Sequence, residues 1–173
     1  DLAGVAKVRN AYGLLEKRRG RLENAVDWFE RARTLNEELG LRARVADNCL
    51  NLGVLHYKLG NYDFSIALLS RAQDAFTSCE SAADVVRTRV ALGNVHRLRR
   101  DFDQARQCLT WAYNAASDLG VAREECLALE FLGDVLRDEG QPAEARRYYA
   151  RAFAIGQTIA PEGDLVLELS RRQ

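Results

Sequence analysis

The sequence predicts an all-α chain in which antiparallel helix pairs stack side by side as an α-solenoid. Three observations carry this. Gly13, Gly53, Gly93 and Gly133 recur at a 40-residue interval inside segments that otherwise read as helix. Twelve positions after each comes a small residue (Ala25, Ser65, Ala105, Ala145), and seven further on another (Ala32, Ala72, Ala112, Ala152), with a large one between them (Phe29, Leu69, Leu109, Tyr149). Gly20, Gly60 and Gly140 then mark the turn inside the unit. Self-similarity at a period of this length is the mark of a repeat architecture, in which no unit covers its own apolar face alone.

Within "NLGVLHYKLG", residues 51–60, the first glycine sits mid-helix, where it costs about 1 kcal/mol relative to alanine. Its return in every copy implies close helix–helix contact, with small side chains admitting the neighbour and large ones filling the space beside them. The turn glycines follow the helix ends, where a left-handed residue is favoured. Asn61 and Asp101 come next as expected N-caps, and Pro142 stands where a first-turn proline is tolerated. Arg100 takes the glycine position in the third unit, so that turn must avoid the left-handed region or carry strain. Gly40 and Gly120 end the second helices of units one and three, and Pro161 breaks the last. The expected helices lie near 3–19, 22–38, 42–59, 62–78, 82–99, 102–118, 122–139, 142–157 and 162–172.

No linker or composition shift interrupts the series. The chain therefore reads as one solenoid over 1–173, with units near 6–45, 46–85, 86–125 and 126–165, and residues 162–173 as a cap or a truncated fifth repeat. It has no methionine and begins with aspartate, which points to a piece of a longer protein.

Lysine plus arginine equals aspartate plus glutamate at 25 each, so no net charge draws this segment to nucleic acid or an anionic membrane. There is neither a membrane-spanning run nor a signal peptide, and the chain reads as cytoplasmic. The cysteines, Cys49, Cys79, Cys108 and Cys126, form no CxxC pair and read as buried thiols. His56 and His96 occupy equivalent places in two units, too far apart to share a metal. Trp28 and Trp111 read as core or inter-repeat contacts. With no phosphate-binding, nucleophile-elbow or zincin motif, no enzyme, metal or cofactor is expected.

These residues resemble the tetratricopeptide repeat: Gly13, Ala25, Phe29 and Ala32 in the first unit, and Leu132, Gly133, Ala145, Tyr149 and Ala152 in the fourth. The usual repeat has 34 residues and a closing proline. The 40-residue period without that proline is similar to the longer-helix variety of bacterial signalling regulators such as MalT and the Rap proteins, and of the animal adaptor LGN. The resemblance implies a right-handed superhelix whose concave groove, lined by the first helices, holds a peptide, a partner domain or a small effector. It also implies a partner-binding set of Lys7, Asn10, Lys17, Asp47, Asn51, Tyr57, Arg87, Asn94, Arg97, Glu130, Asp134 and Arg137. Lys17, Arg97 and Arg137 would form a basic ladder for ligand carboxylates, with Asn51 and Asn94 offering amides to a ligand backbone. Chaperone-binding members clamp a terminal carboxylate with five residues. Asn51 and Arg87 fit that clamp, while Asn10, Leu14 and Ala91 do not, which disfavours a chaperone-tail receptor.

The expected function is a non-catalytic protein-interaction module with a regulatory or scaffolding role, its partner a protein, a peptide or a domain of the same chain. Two alternatives stay open. One is an effector-sensing domain of a bacterial transcriptional regulator, and the other is a self-assembling structural module.

Overall fold

The computed structural model describes residues 1–160 and 169–172. Among the described residues eight helices are delimited in order: α1 Leu2–Arg18, α2 Leu22–Glu38, α3 Arg42–Lys58, α4 Tyr62–Ser78, α5 Ala82–Leu98, α6 Phe102–Leu119, α7 Ala122–Asp138 and α8 Pro142–Ile159. Among the described residues there is no strand and no helix long and apolar enough to cross a membrane. The chain forms two compact units, Asp1–Ala82 and Ala83–Gln173. The expected helix at 162–172 and the break at Pro161 fall mostly outside the described residues.

Each hairpin closes where its sequence repeats. A Cβ on Gly53 would lie 2.6 Å from Leu69 Cγ, one on Gly93 would lie 2.5 Å from Leu109 Cγ, and one on Gly133 would lie 2.5 Å from Tyr149 Cε1. At Gly13 the neighbour is the flat ring of Phe29, at 3.0 Å. The first helix thus gives up its side chain so that a bulky residue of the second can lie against bare backbone. Those bulky residues and the flanking alanines are buried. In the second unit Ser65 replaces alanine, and its buried hydroxyl donates to the Gly53 carbonyl at 2.7 Å, satisfying the polar group it introduces.

All seven turns share one hydrogen-bond pattern. At the α3–α4 turn, Gly60 N–H donates to Tyr57 O and Asn61 N–H to His56 O, the paired bonds of a Schellman motif. The pattern needs one left-handed residue. Gly20, Gly40, Gly60, Gly120 and Gly140 supply it, whereas Arg100 (φ 67°) and Glu80 (φ 55°) adopt it at a cost. Arg100 therefore carries the strain rather than avoiding the left-handed region, with its guanidinium 5.6 Å from the Phe102 ring centroid.

Three expectations are corrected. Asn61 and Asp101 stand at N-cap positions but make no side-chain capping bond. With ψ near 65° they miss the extended geometry that aims a side chain at the helix amides, and they turn instead to His56 and His96. Trp111 is 40% exposed beneath the Arg89 guanidinium at 4.1 Å, while Trp28 stacks on Tyr12 at 5.0 Å. The thiols divide: Cys49 and Cys126 are buried, Cys108 is half-buried and Cys79 is exposed. Burial, aided by the charge of Glu130, pushes the Cys126 thiol up to about 11.

Two substitutions test this packing by urea denaturation. Gly93→Ala should destabilise by about 1–3 kcal/mol through overpacking, despite alanine's better helix propensity. Arg100→Gly should stabilise by about 1 kcal/mol by relieving the left-handed strain.

Candidate functional site

The first-helix faces of the two units carry polar residues in different states. In the first unit, α1 and α3 present Lys7, Asn10, Lys17, Asp47, Asn51 and Tyr57. Asn51 is held from both sides: its Nδ2 donates to Asp47 O at 3.0 Å and its Oδ1 accepts from Lys17 Nζ at 3.4 Å. Asn10 belongs to a chain of amides. Asn36 Nδ2 donates to Asn48 Oδ1 at 2.8 Å, and Asn48 Nδ2 donates to Asn10 Oδ1 at 2.9 Å. Asn36 and Asn48 are 2% and 1% exposed, and Asn36 Oδ1 has no hydrogen-bond partner.

Such an orphaned amide oxygen costs about 1–3 kcal/mol. It lies beside a hollow of about 220 Å³ lined by Ala6, Lys7, Asn10, Asn36, Arg44, Asp47 and Asn48. The hollow therefore joins two cations, one carboxylate and a directional row of amides. Asn36, Asn48 and Arg44 escaped the sequence reading, although a signal existed. Asn36 has Phe76, Ala116 and Gly156 as its repeat equivalents, and Asn48 has Val8, Thr88 and Ala128. An asparagine in a register that otherwise belongs to the core marks a polar interior.

In the second unit α5 presents Arg87, Asn94 and Arg97, and α7 presents Glu130, Asp134 and Arg137. Here the charges meet one another. Arg87 pairs with Asp84 at 2.9 Å. Arg97 reaches Asp138 at 2.6 Å and the Asn94 amide oxygen through Nε at 3.1 Å and Nη2 at 2.9 Å. Buried Asp134 accepts from the Tyr149 hydroxyl at 2.8 Å and pairs with Arg137 and Arg172, both at 2.9 Å. Arg172 also reaches Glu130 at 3.0 Å.

Burial opposes ionisation of Asp138, but the Arg97 and Arg137 hydrogen bonds and charges outweigh it and hold its carboxyl below the ordinary value. Burial pushes the Tyr149 phenol up, and the Asp134 charge adds to the effect. The arginine forks are thus already paired, and a ligand carboxylate would have to displace Asp138 or Asp134. Asn94 likewise spends its oxygen on Arg97.

Two family models described as tetratricopeptide repeat match residues 41–118 and 127–161, together well over half of the chain. No curated protein matches it significantly in sequence. Among solved structures, BtubC (BKLC) from P. vanneervenii superimposes with a TM-score of 0.78 at 21% identity, over 92% of this chain and 66% of that one. The Rap conjugation gene regulator of plasmid pLS20, in complex with the Phr* peptide, gives 0.84 at 19% identity, over 95% and 46%. Aspartyl phosphate phosphatase F from Bacillus subtilis gives 0.85 at 13% identity, over 98% and 44%. At these identities the likeness shows the fold: all-α, built as a helical-repeat solenoid. The chain spans less than half the length of the latter two proteins.

The site's ionisation predicts a two-stage loss of stability in acid. Burial holds the His56 imidazole below its ordinary 6.5, against the weaker pull of Glu30. The folded state therefore resists a proton that the unfolded chain accepts, and stability falls as pH drops through about 6.5. Depressed Asp138 contributes stability that is fully present above the ordinary 3.8 and is lost as pH falls through its lower folded value. Melting temperatures measured from pH 8 to 2 should show both stages, with His56→Gln removing the first and Asp138→Asn reducing the second.

Proposed function

Because the chain belongs to the tetratricopeptide-repeat family, we propose that it is a non-catalytic interaction module whose first unit binds an extended peptide segment along α1 and α3. The observation that carries this reading is the hollow beside the amide chain. Each amide there donates to the next, from Asn36 through Asn48 to Asn10, so the row leaves the Asn10 NH₂ to donate to an incoming carbonyl. Lys7 and Arg44 favour a carboxylate, and Asp47 favours a donor on the same ligand. A peptide offers all three chemistries within one or two residues. A pocket for a purely apolar ligand would have no use for three amides and three charges.

The Rap regulator of similar fold is seen with a peptide, which agrees with a peptide ligand here. Its role as a gene regulator also favours a second, compatible reading, in which ligand occupancy shifts the equilibrium of an attached output domain. Within the proposed binding set, Lys7, Asn10 and Asp47 line the hollow, and Lys17, Asn51 and Tyr57 extend the same face. Arg87, Asn94, Arg97, Glu130, Asp134 and Arg137 contribute less in this reading, because their partners lie within the second unit.

Selection of peptides from a displayed library against the whole chain, followed by titration of the winners, tests the reading. Asn10→Ala combined with Lys7→Glu should weaken a selected peptide at least tenfold, about 1.4 kcal/mol, with the far-ultraviolet dichroism unchanged. Arg137→Glu should leave affinity within about twofold. Equal binding to wild type and the α1 variant would remove the first unit from the account.

A further inference from the structure

The hollow of the first unit differs in chemistry between its inner end and its mouth. Ala6, Asn36 and Asn48 are buried, whereas Arg44 and Asp47 are half-buried and Lys7 is exposed. The charges therefore stand at the mouth and the amides inside. At the inner end the Asn36 amide is only half satisfied. Its Nδ2 donates to Asn48 Oδ1 at 2.8 Å, while its Oδ1, an acceptor with two lone pairs, has no partner.

Packing does not require these amides. Asn36 and Asn48 stand in a register that the other copies fill with Phe76 and Ala116, and with Ala128, all buried. Asn10 adds a third departure, since its equivalents Leu50 and Val90 are also buried and apolar. Three departures meet in one hydrogen-bonded row. A row serving the fold alone would leave no buried oxygen without a donor.

On the basis of the peptide-binding reading, we propose that the inner end receives the side-chain carboxamide of a glutamine or asparagine of the peptide, its NH₂ donating to Asn36 Oδ1. The group that satisfies Asn36 must carry an N–H or O–H. A carboxylate brings only lone pairs and would meet the orphaned oxygen with like partial charge. A lysine ammonium has donors but no acceptor for the Asn10 NH₂, and it would share the hollow with Lys7 and Arg44. A serine or threonine hydroxyl fills little of the 220 Å³, which is room for about seven waters at roughly 30 Å³ each. A phenol ring would find only Ala6 among the lining for apolar contact. The carboxamide is neutral and carries two donors and a carbonyl. It extends the row as Asn36 itself extends it from Asn48.

Two forces on such a residue have opposite signs, which makes the proposal sharp. Lys7 and Arg44 outnumber Asp47 around the hollow, so charge alone favours glutamate over glutamine. The orphaned oxygen favours glutamine.

Peptides selected from a displayed library against the whole chain supply the probe. The winners should share a glutamine or asparagine. Its exchange for the isosteric glutamate or aspartate, at about pH 7.5 where either acid is ionised, should weaken binding at least about tenfold, because the buried acceptor is left unpaired. Asn36→Ala, with the alanine that Ala116 already provides in the third copy, should shrink that ratio to within about twofold. Winners without a shared carboxamide, acidic isosteres that bind as tightly or tighter, or a ratio that persists in a folded Asn36→Ala chain would each overturn the proposal and leave peptide binding standing. If Asn36→Ala fails to fold, the isostere comparison on the wild-type chain decides alone. Failure to select any peptide would overturn both readings.

Discussion

In three of the four hairpins a glycine of the first helix meets a bulky side chain of the second at a distance no β-carbon would permit, and in the remaining one, at Gly13, the fit is nearly as tight. At Gly53, Gly93 and Gly133 the missing side chain would overlap Leu69, Leu109 and Tyr149. The rest of the arrangement depends on that contact. It sets how closely the helices approach and so requires the flanking residues to be small, Ala25, Ser65, Ala105 and Ala145 among them. It also explains why seven turns can share one hydrogen-bond pattern even where Glu80 and Arg100 must adopt an unfavourable backbone conformation. A modest local strain is tolerated because packing on both sides over-determines the turn.

With the interior of each hairpin occupied by glycine and its partner, the remaining face of the first helices carries the polar residues proposed here for recognition. The two units use that face differently. In the second, Arg97, Arg137 and Arg172 meet Glu130, Asp134 and Asp138, a network whose members satisfy one another. In the first, three asparagines, two cations and one carboxylate surround an open hollow. Buried polar groups that lack partners are costly. The Asn36 amide oxygen is such a group, and its place among the residues lining an open hollow is the physical observation on which the proposed binding site stands.

Much of the fold was legible because it is written in register. Forty-residue spacing located the helices, the packing glycines and five left-handed turn glycines, since each of those positions needs a particular side-chain size. Glu80 was not legible, because nothing in its identity announces a left-handed conformation. The basic ladder was legible as spacing but not as chemistry: Arg97 is paired by Asp138, forty-one residues on, and comparison of equivalent positions looks forty residues on. The Asn36–Asn48–Asn10 row was present as polar residues in a core register, visible once each position is compared with its counterparts. The role of Trp111 was misread because size and apolarity say nothing about which side of a second helix a residue occupies, and that of Cys79 because it stands just past the end of α4, exposed at the helix C-cap.

The most direct test of the central contact is a double-mutant cycle at Gly53 and Leu69. Gly53→Ala introduces the overlap, Leu69→Ala removes the atoms it would strike, and the double variant should recover at least about 1 kcal/mol relative to the sum of the single losses. Measured by urea denaturation, that coupling is the predicted result. Losses that add to within about 0.5 kcal/mol would show that the glycine and the bulky residue act independently, and would contradict the account.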